Sequence, residues 1–236
     1  MDSGNIGFVL LCAAFVFVMT PGLAMFYGGL VRKKNVVNTM MTSIFIIGVG
    51  IVMWVLFGYS LSFAPSGNAF IGDFRWLGLE GVSLTEGYTD DASIPNMVFS
   101  AFQMMFAVIT PALITGAVAG RMKFKSIFVF TIFWSLIVYY PLAHMVWGQG
   151  GLLGADGIGA LDFAGGDVVH ISSGVSALVL CILLGKRHDY EHSIYRIHNI
   201  PTVALGASLL MFGWFGFNAG SALAAEGLAA HAFMTT

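Results

Sequence analysis

Charged residues are scarce in this chain. Asp, Glu, Lys and Arg together make up 9% of its 236 residues, whereas a soluble domain carries about 25%. So few charges cannot cover a surface that faces water, which excludes an ordinary soluble protein and indicates an integral membrane protein in contact with a lipid bilayer. The ten basic residues and the net charge of −2 also argue against a nucleic-acid-binding protein, because no extended basic patch can form.

Cysteine is nearly absent as well. Cys12 and Cys181 are the only two, and each lies in an apolar stretch, so we interpret both as small buried hydrophobic residues without a disulfide or a metal. The sequence also carries no nucleophile–base signature of a hydrolase. These gaps argue against an enzyme, and we expect neither a cofactor nor a metal centre.

Long apolar runs are abundant instead. Hydrophobic residues make up 58% of the chain, and six stretches contain no Asp, Glu, Lys or Arg over the roughly 20 residues needed to cross a bilayer. The predicted spans are Ile6–Val31, Val36–Ala64, Met97–Gly120, Ser126–Trp147, Val168–Gly185 and Ile200–Ala225. Leu228–Thr236 resembles the opening turns of a seventh span that is cut short. The pattern predicts an all-α fold, a polytopic transmembrane helical bundle.

Charge placement supports these spans. Three basic residues follow span 1, three follow span 3 and three follow span 5, so nine of the ten lie on one side and only Arg75 lies on the other. Ten of the twelve acidic residues lie opposite, among them Asp2, Asp156 and Glu226. Because Lys and Arg mark the cytoplasmic side, we expect a multi-pass protein of the cell membrane with its N-terminus outside.

Small residues within the spans predict close helix packing. Gly116–Gly120 and Gly216–Gly220 each place small residues one helical turn apart. Such pairs let two helix backbones approach closely in a membrane.

His170 is the most informative residue of the chain. It lies well inside the fifth span, where a titratable side chain is costly unless it lines a cavity or has a partner. Its helix face also carries the small residues Gly174, Ala177 and Cys181, which suits either a narrow lumen or close helix contact. A pore-lining role and a structural, hydrogen-bonded role both stay open on the residues alone. Upstream, Asp162 precedes a helix start and is predicted to cap backbone N–H groups.

Several aromatic residues and one serine form a candidate path beside His170. Phe102 and Phe106 lie four residues apart in span 3, and Phe217 and Ser221 lie four apart in span 6, so each pair shares a helix face. Trp147 ends span 4. The ordinary interpretation of each is different: most of the 21 Phe residues should contact lipid or core, and a Trp at a span end is usually an interfacial anchor.

The other histidines carry weaker signals. His144 lies near the outer end of span 4, and we interpret it as another interfacial residue. His188, His192 and His198 follow span 5 in a basic loop and are predicted to contact water. A membrane haem or quinone enzyme with His144 and His170 as ligands is an alternative class, but these residues lie 26 positions apart on different spans.

Four segments together resemble the ammonium transporter family, the Amt, Mep and Rh proteins. These segments are Pro21–Arg32, Ala143–Gly148, Leu161–His170 and Gly213–Ser221. They occur in the family's order and at its spacing, and they cover essentially the whole chain. The set is highly specific, although no single segment is.

The resemblance implies an ammonium transporter or channel that is not an enzyme and that assembles as a homotrimer with one pore in each protomer. The family fold has about eleven spans in two inverted repeats of five. Residues 1–236 therefore resemble the N-terminal portion of a single transmembrane domain, the first repeat and the start of the second. The partner of His170, a second pore histidine, is expected beyond this portion. Small cytoplasmic regulators of the PII type are further implied partners, with the three basic loops as the docking surface.

The resemblance also implies a role for each candidate residue. Trp147 and Ser221 correspond to residues that bind ammonium in an outer vestibule, which a residue matching Phe102 helps to line. Phe106 and Phe217 correspond to a stacked gate, with Phe106 also facing the vestibule.

Two further residues have implied roles. His170 corresponds to one of two pore histidines, and Asp162 to an aspartate that holds the vestibule together. The physical chemistry agrees, because an apolar constriction admits neutral ammonia far more readily than a cation. Deprotonation in the vestibule is therefore expected. A membrane ammonium sensor of the same fold, fused to a C-terminal signalling domain, is the alternative function.

Overall fold

The computed structural model describes residues 1–155, 157–187, 190 and 194–236. Asp156, which the charge analysis placed on the acidic side, lies outside the described residues. His188 and His192, which were predicted to contact water, also lie outside them.

Six helices are long and apolar enough to cross a membrane, and the described residues contain no strand. This confirms the predicted all-α transmembrane fold. The helices are α1 (Ser3–Leu30), α2 (Lys33–Phe63), α3 (Asn96–Val118), α4 (Phe124–Trp147), α5 (Gly166–Leu184) and α6 (Ile200–Gly220). A short seventh helix, α7 (Gly227–Thr235), follows.

Polar side chains begin the first and the last of the six long helices. The Asp2 carboxylate accepts a hydrogen bond from the Asn5 N–H at 2.8 Å, and the Asn199 side chain accepts one from the Thr202 N–H at 3.0 Å. Each therefore satisfies a backbone donor that the helix itself leaves unpaired.

The sixth helix ends earlier than the sequence predicted. It stops at Gly220 rather than at Ala225, and turns replace the last predicted helical residues. The backbone at Leu223 has a φ of 57°, which no right-handed helix accommodates. The apolar run continues through the turn, so hydropathy alone does not reveal where the helix ends.

Three of the long helices contain a wide π-helical turn: Trp54–Gly58 in α2, Ser135–Tyr139 in α4 and Gly166–Ile171 in α5. Such turns are rare and occur frequently at functional sites. The turn in α5 carries His170. The direction of the His170 side chain therefore depends on this irregular backbone. Regular α-helical spacing does not predict it.

Hydrogen bonds place the start of α1 beside the start of α3 and the end of α6, and the end of α3 beside the end of α5. At one end, Asn5 accepts from the Ala225 N–H at 2.8 Å and donates to the Ser93 hydroxyl at 2.9 Å. At the other, Arg121 donates to the Gly185 carbonyl at 2.9 Å. We name these the acidic end and the basic end, after the charges that the sequence analysis placed there.

Cys181 differs from its prediction. It is half-buried, and its Sγ lies 2.9 Å from the Arg121 guanidinium at the basic end. Cys12 is buried, with 4% of its surface exposed, as predicted.

Helices α1 and α6 approach each other along a line of glycines. On α6, Gly206, Gly213 and Gly220 follow one another at intervals of seven, and a Cβ atom at any of them would lie less than 3 Å from an atom of α1. Gly216 contributes as well, since its Cβ would lie 2.7 Å from Phe15, in agreement with the predicted Gly216–Gly220 pattern. Small residues thus set the spacing of this helix pair.

Candidate functional site

Four predicted site residues from four helices form one continuous row of rings. The Trp147 and Phe106 ring centroids lie 6.1 Å apart, those of Phe106 and Phe217 lie 4.3 Å apart, and those of Phe217 and His170 lie 6.0 Å apart. The row starts at Trp147 near the acidic end and finishes at His170, whose side chain is exposed on α5. The fold therefore brings together residues that are more than one hundred positions apart in the chain.

A cavity of about 590 Å³ opens at the acidic end of this row. Its lining includes the predicted residues Trp147, Ser221, Phe106 and Asp162. Phe217 and His170 do not line it, and in the row of rings Phe217 lies next to both Phe106 and His170. Further acidic side chains, Asp91 and Glu226, also line the cavity.

The predicted vestibule residue Phe102 lies elsewhere. Only 1% of its surface is exposed, and it is not among the residues that line the cavity. Its ring packs edge-on against Phe106, with centroids 4.9 Å apart, and a Cβ atom at Gly220 would lie 2.7 Å from it. Phe102 thus supports the Phe106 ring from behind the cavity lining, and its predicted contact with the vestibule stays a prediction.

The polar groups of Trp147 and Ser221 are partly engaged by the backbone. The indole N–H of Trp147 donates to the Asp162 carbonyl at 2.9 Å, which holds the ring in place. The Ser221 hydroxyl, just beyond the end of α6, donates to the Phe217 carbonyl at 2.9 Å. Since its only proton is used there, the Ser221 oxygen offers its lone pairs to another donor.

The Asp162 carboxylate holds the start of α5. One oxygen accepts from the N–H groups of Gly165 and Gly166, and the other accepts from those of Asp167 and Val168 at 2.9 and 3.0 Å. A carboxylate has about four lone-pair sites, so none is left for a ligand. This geometry agrees with the predicted capping role.

Replacing Asp162 by asparagine is expected to lower the free energy of unfolding by about 2 kcal/mol, because the amide group presents an N–H₂ to two of the four backbone donors. Thermal unfolding of the purified protein in detergent measures the loss. Asp167→Asn is the matched control, with a change within about 0.5 kcal/mol. Equal shifts for the two variants would contradict the capping role.

His144 is not an interfacial anchor, contrary to its interpretation from the sequence. It is fully buried, with Nδ1 at 3.1 Å from the Ser62 carbonyl oxygen and Nε2 at 2.8 Å from the Asn68 carbonyl oxygen. The ring connects α4 to the end of α2 and to the segment that follows it, which leaves neither nitrogen for a haem iron.

Two further residues lie at the site, and the sequence contains a feature that could have predicted each of them. Trp214 stacks on His170, with ring centroids 5.4 Å apart and planes 12° from parallel. It lies three residues before Phe217, a spacing that places both on one helix face. Gln103 lines the cavity and carries the one amide side chain within the predicted span Met97–Gly120, which is itself a functional signal.

The segment between α2 and α3 forms one wall of the cavity through Tyr88. The Tyr88 ring stacks on Phe99 with centroids 4.8 Å apart, and its hydroxyl accepts from the Gln149 N–H at 3.0 Å. Burial raises the pKa of Tyr88 to about 12, so its hydroxyl stays neutral at physiological pH. Tyr88 therefore contributes an uncharged aromatic surface to this wall, beside the Asp91 carboxylate.

Known proteins resemble this chain over its whole length. The sequence model of the Ammonium Transporter Family matches residues 7–236. The chain is 52% identical to an ammonium transporter of Bacillus subtilis (strain 168) over 236 residues, which is all of this chain and 57% of that protein. It is 46% identical to an ammonium transporter of Aquifex aeolicus (strain VF5), covering all of this chain and 54% of that protein.

Solved structures agree with this assignment. The crystal structure of Saccharomyces cerevisiae Mep2 superimposes with a TM-score of 0.87 at 36% identity, over all of this chain and 52% of Mep2. A structure described as a sensor Amt protein superimposes with a TM-score of 0.82 at 29% identity, over 96% of this chain and 56% of that one. The chain thus spans about half the length of the relatives that it matches. It is a multi-pass membrane protein, and it belongs to the ammonium transporter family.

Proposed function

We propose that the protein transports ammonium, and that the row of rings from Trp147 to His170 is one wall of its path. One observation carries the proposal. The Phe106 and Phe217 rings, 4.3 Å apart, lie between a cavity with acidic residues in its lining and the exposed imidazole of His170 on α5.

The cavity suits the capture of a small cation. The Trp147 ring face offers a cation–π attraction of about 0.5–2 kcal/mol, depending on desolvation. The Ser221 oxygen has free lone pairs, because its proton is donated to the Phe217 carbonyl. The Asp91 and Glu226 carboxylates in the lining add a field that attracts cations and that salt weakens.

The Phe pair then selects the neutral form. A charge in the middle of a bilayer costs about 2.5 kcal/mol or more, and neutral ammonia avoids that cost. Ammonium therefore gives its proton to water on the cavity side of the two rings, and the proton leaves to the outside solution. Neutral ammonia passes them and meets His170, whose imidazole has one donor and one acceptor in its neutral form. The Trp214 ring, stacked on the imidazole, orients it.

The charge distribution indicates which end of the path faces outside the cell. The basic end faces the cytoplasm under the positive-inside rule, so the cavity and the N-terminus face outside the cell membrane. We further propose that the working protein is a homotrimer and that a PII-type regulator docks on the basic end. Both proposals rest on the family alone.

Ammonium sensing is the second candidate function, favoured by the superposition on the sensor Amt protein with a TM-score of 0.82. The two functions differ in whether ammonium crosses the bilayer. Ammonium-dependent uptake into proteoliposomes containing the full-length protein supports transport. Saturable binding without uptake supports sensing.

Replacing Trp147 by leucine is expected to raise the half-saturating ammonium concentration about 2- to 30-fold, because the variant loses the cation–π attraction. Ammonium-driven currents or uptake in proteoliposomes measure it. Trp147→Phe keeps an aromatic face and should fall between leucine and the original protein. An unchanged half-saturating concentration in the leucine variant would remove Trp147 from the capture site.

A further inference from the structure

Two consecutive serines follow the wide turn of α5 that carries His170. Ser172 and Ser173 are both buried, and each hydroxyl donates to the carbonyl four residues earlier in the chain. The Ser172 hydroxyl donates to the Val168 carbonyl at 2.5 Å, and the Ser173 hydroxyl donates to the Val169 carbonyl at 2.6 Å. Both hydroxyls therefore bind carbonyl groups that belong to the turn itself.

The wide turn changes the partners of the backbone groups. The His170 N–H donates to the Gly165 carbonyl at 2.9 Å, five residues back, whereas a regular α-helix pairs residues four apart. The Ser172 N–H donates to the carbonyls three and five residues back, so it bypasses the Val168 carbonyl, which would be its partner in a regular helix. The Ser172 hydroxyl donates to that carbonyl instead, a bond that competes with regular helical pairing.

Side chains hold the backbone on both sides of the turn. Before it, the Asp162 carboxylate accepts hydrogen bonds from four backbone N–H groups. After it, the Ser176 hydroxyl accepts from the Trp134 indole of α4 at 2.8 Å and donates to the Ser172 carbonyl at 2.7 Å. His170 lies between these two fixed points, so the hydrogen bonds within the turn decide where its ring points.

A regular helix would direct the His170 ring elsewhere. Successive residues of an α-helix differ by about 100° around its axis. A turn that closes on the fourth residue instead of the fifth would therefore rotate His170 by about that angle relative to the rest of α5. The imidazole would leave the face of Trp214, on which it stacks with centroids 5.4 Å apart, and it would also leave the Phe217 ring.

We infer that Ser172 and Ser173 are positioning residues for His170. Their hydroxyls stabilise the wide turn, and the wide turn keeps the imidazole at the end of the row of rings, where neutral ammonia meets it. This inference rests on the proposed function and deepens it. Neither serine lines the cavity, so both act on the path through the histidine alone.

Ser172→Ala in the full-length protein tests this role, because alanine lacks the hydroxyl and favours a regular helix. In proteoliposomes, maximal ammonium conduction per amount of monodisperse protein should fall about 2- to 10-fold, since the variant loses one hydrogen bond that holds the turn. The half-saturating ammonium concentration should stay unchanged, because the residues that line the cavity keep their places. Ser173→Ala should show the same pattern.

A double-mutant cycle with His170→Phe separates positioning from a general effect on stability. If Ser172 acts through the imidazole, Ser172→Ala should change conduction no further once the imidazole is absent, and the two effects should not add. Ser208→Ala is the matched control. The Ser208 hydroxyl makes the same kind of bond, to the Ala204 carbonyl at 2.9 Å, within the regular helix α6, and this variant should conduct as the original protein does.

Three results would overturn the inference and leave transport itself standing. They are original conduction in both serine variants, an equal fall in conduction from Ser172→Ala with and without the imidazole, and original conduction in His170→Phe. If Ser172→Ala yields no monodisperse protein, Ser173→Ala decides by the same criteria. A full-length original protein that takes up no ammonium would overturn the proposed function, and the inference with it.

Discussion

His170→Phe is expected to reduce ammonium conduction about tenfold, because the variant loses one hydrogen bond to the passing ammonia, worth roughly 0.5–1.5 kcal/mol. Phenylalanine keeps a flat ring that can stack on Trp214 as the imidazole does at 5.4 Å. It offers no donor or acceptor to neutral ammonia. The substitution therefore separates hydrogen bonding from ring packing, which an alanine at the same position would remove together.

Conduction is measured as ammonium-driven current or uptake in proteoliposomes that contain the full-length protein. His198→Phe is the matched control, because His198 is exposed in the segment before α6, and its conduction should equal that of the original protein. His170→Ala should lose at least as much conduction as the phenylalanine variant. If His170→Phe conducts normally, the imidazole has only a packing role against Trp214 and Phe217, and the structural interpretation of this histidine is correct.

The transmembrane helices could be predicted from the sequence because bilayer thickness imposes a minimum length on every apolar run. The predicted start of the fourth span, Ser126, lies two residues from the observed start at Phe124, and its end at Trp147 agrees. The end of α6 could not be predicted, since Ala222, Leu223 and Ala224 are as apolar as the helix before them. The turn there depends on backbone conformation, which hydropathy does not record.

The candidate site was predictable only where a residue type is unusual for a membrane span. His170 was such a residue, and so was Gln103, although the latter was overlooked. The burial of His144 could not be predicted, because it depends on the carbonyl groups of Ser62 and Asn68, more than 70 positions away in the chain. Contacts between distant segments are set by tertiary packing and leave no local pattern.

The helix pair that carries Phe217 depends on glycine at position 206. A Cβ atom there would lie 2.3 Å from the Phe26 nitrogen and 2.6 Å from the Gly22 oxygen. Both are backbone atoms of α1, so no rotamer change can relieve the overlap, and α1 and α6 would have to separate. Their separation would also draw Phe217 away from Phe106, whose ring centroid lies 4.3 Å from its own.

Gly206→Leu is therefore expected to prevent folding, at a cost above the ~1–3 kcal/mol that overpacking a core commonly incurs. The yield of monodisperse full-length protein after detergent extraction and size-exclusion chromatography measures this effect. Gly48→Leu is the matched control, since Gly48 lies within α2 and has no atom within 4 Å of its Cβ position. It should give the original yield, because the added side chain points away from the bundle. Equal yields for both variants would show that α6 tolerates separation from α1, and that the row of rings does not depend on this contact.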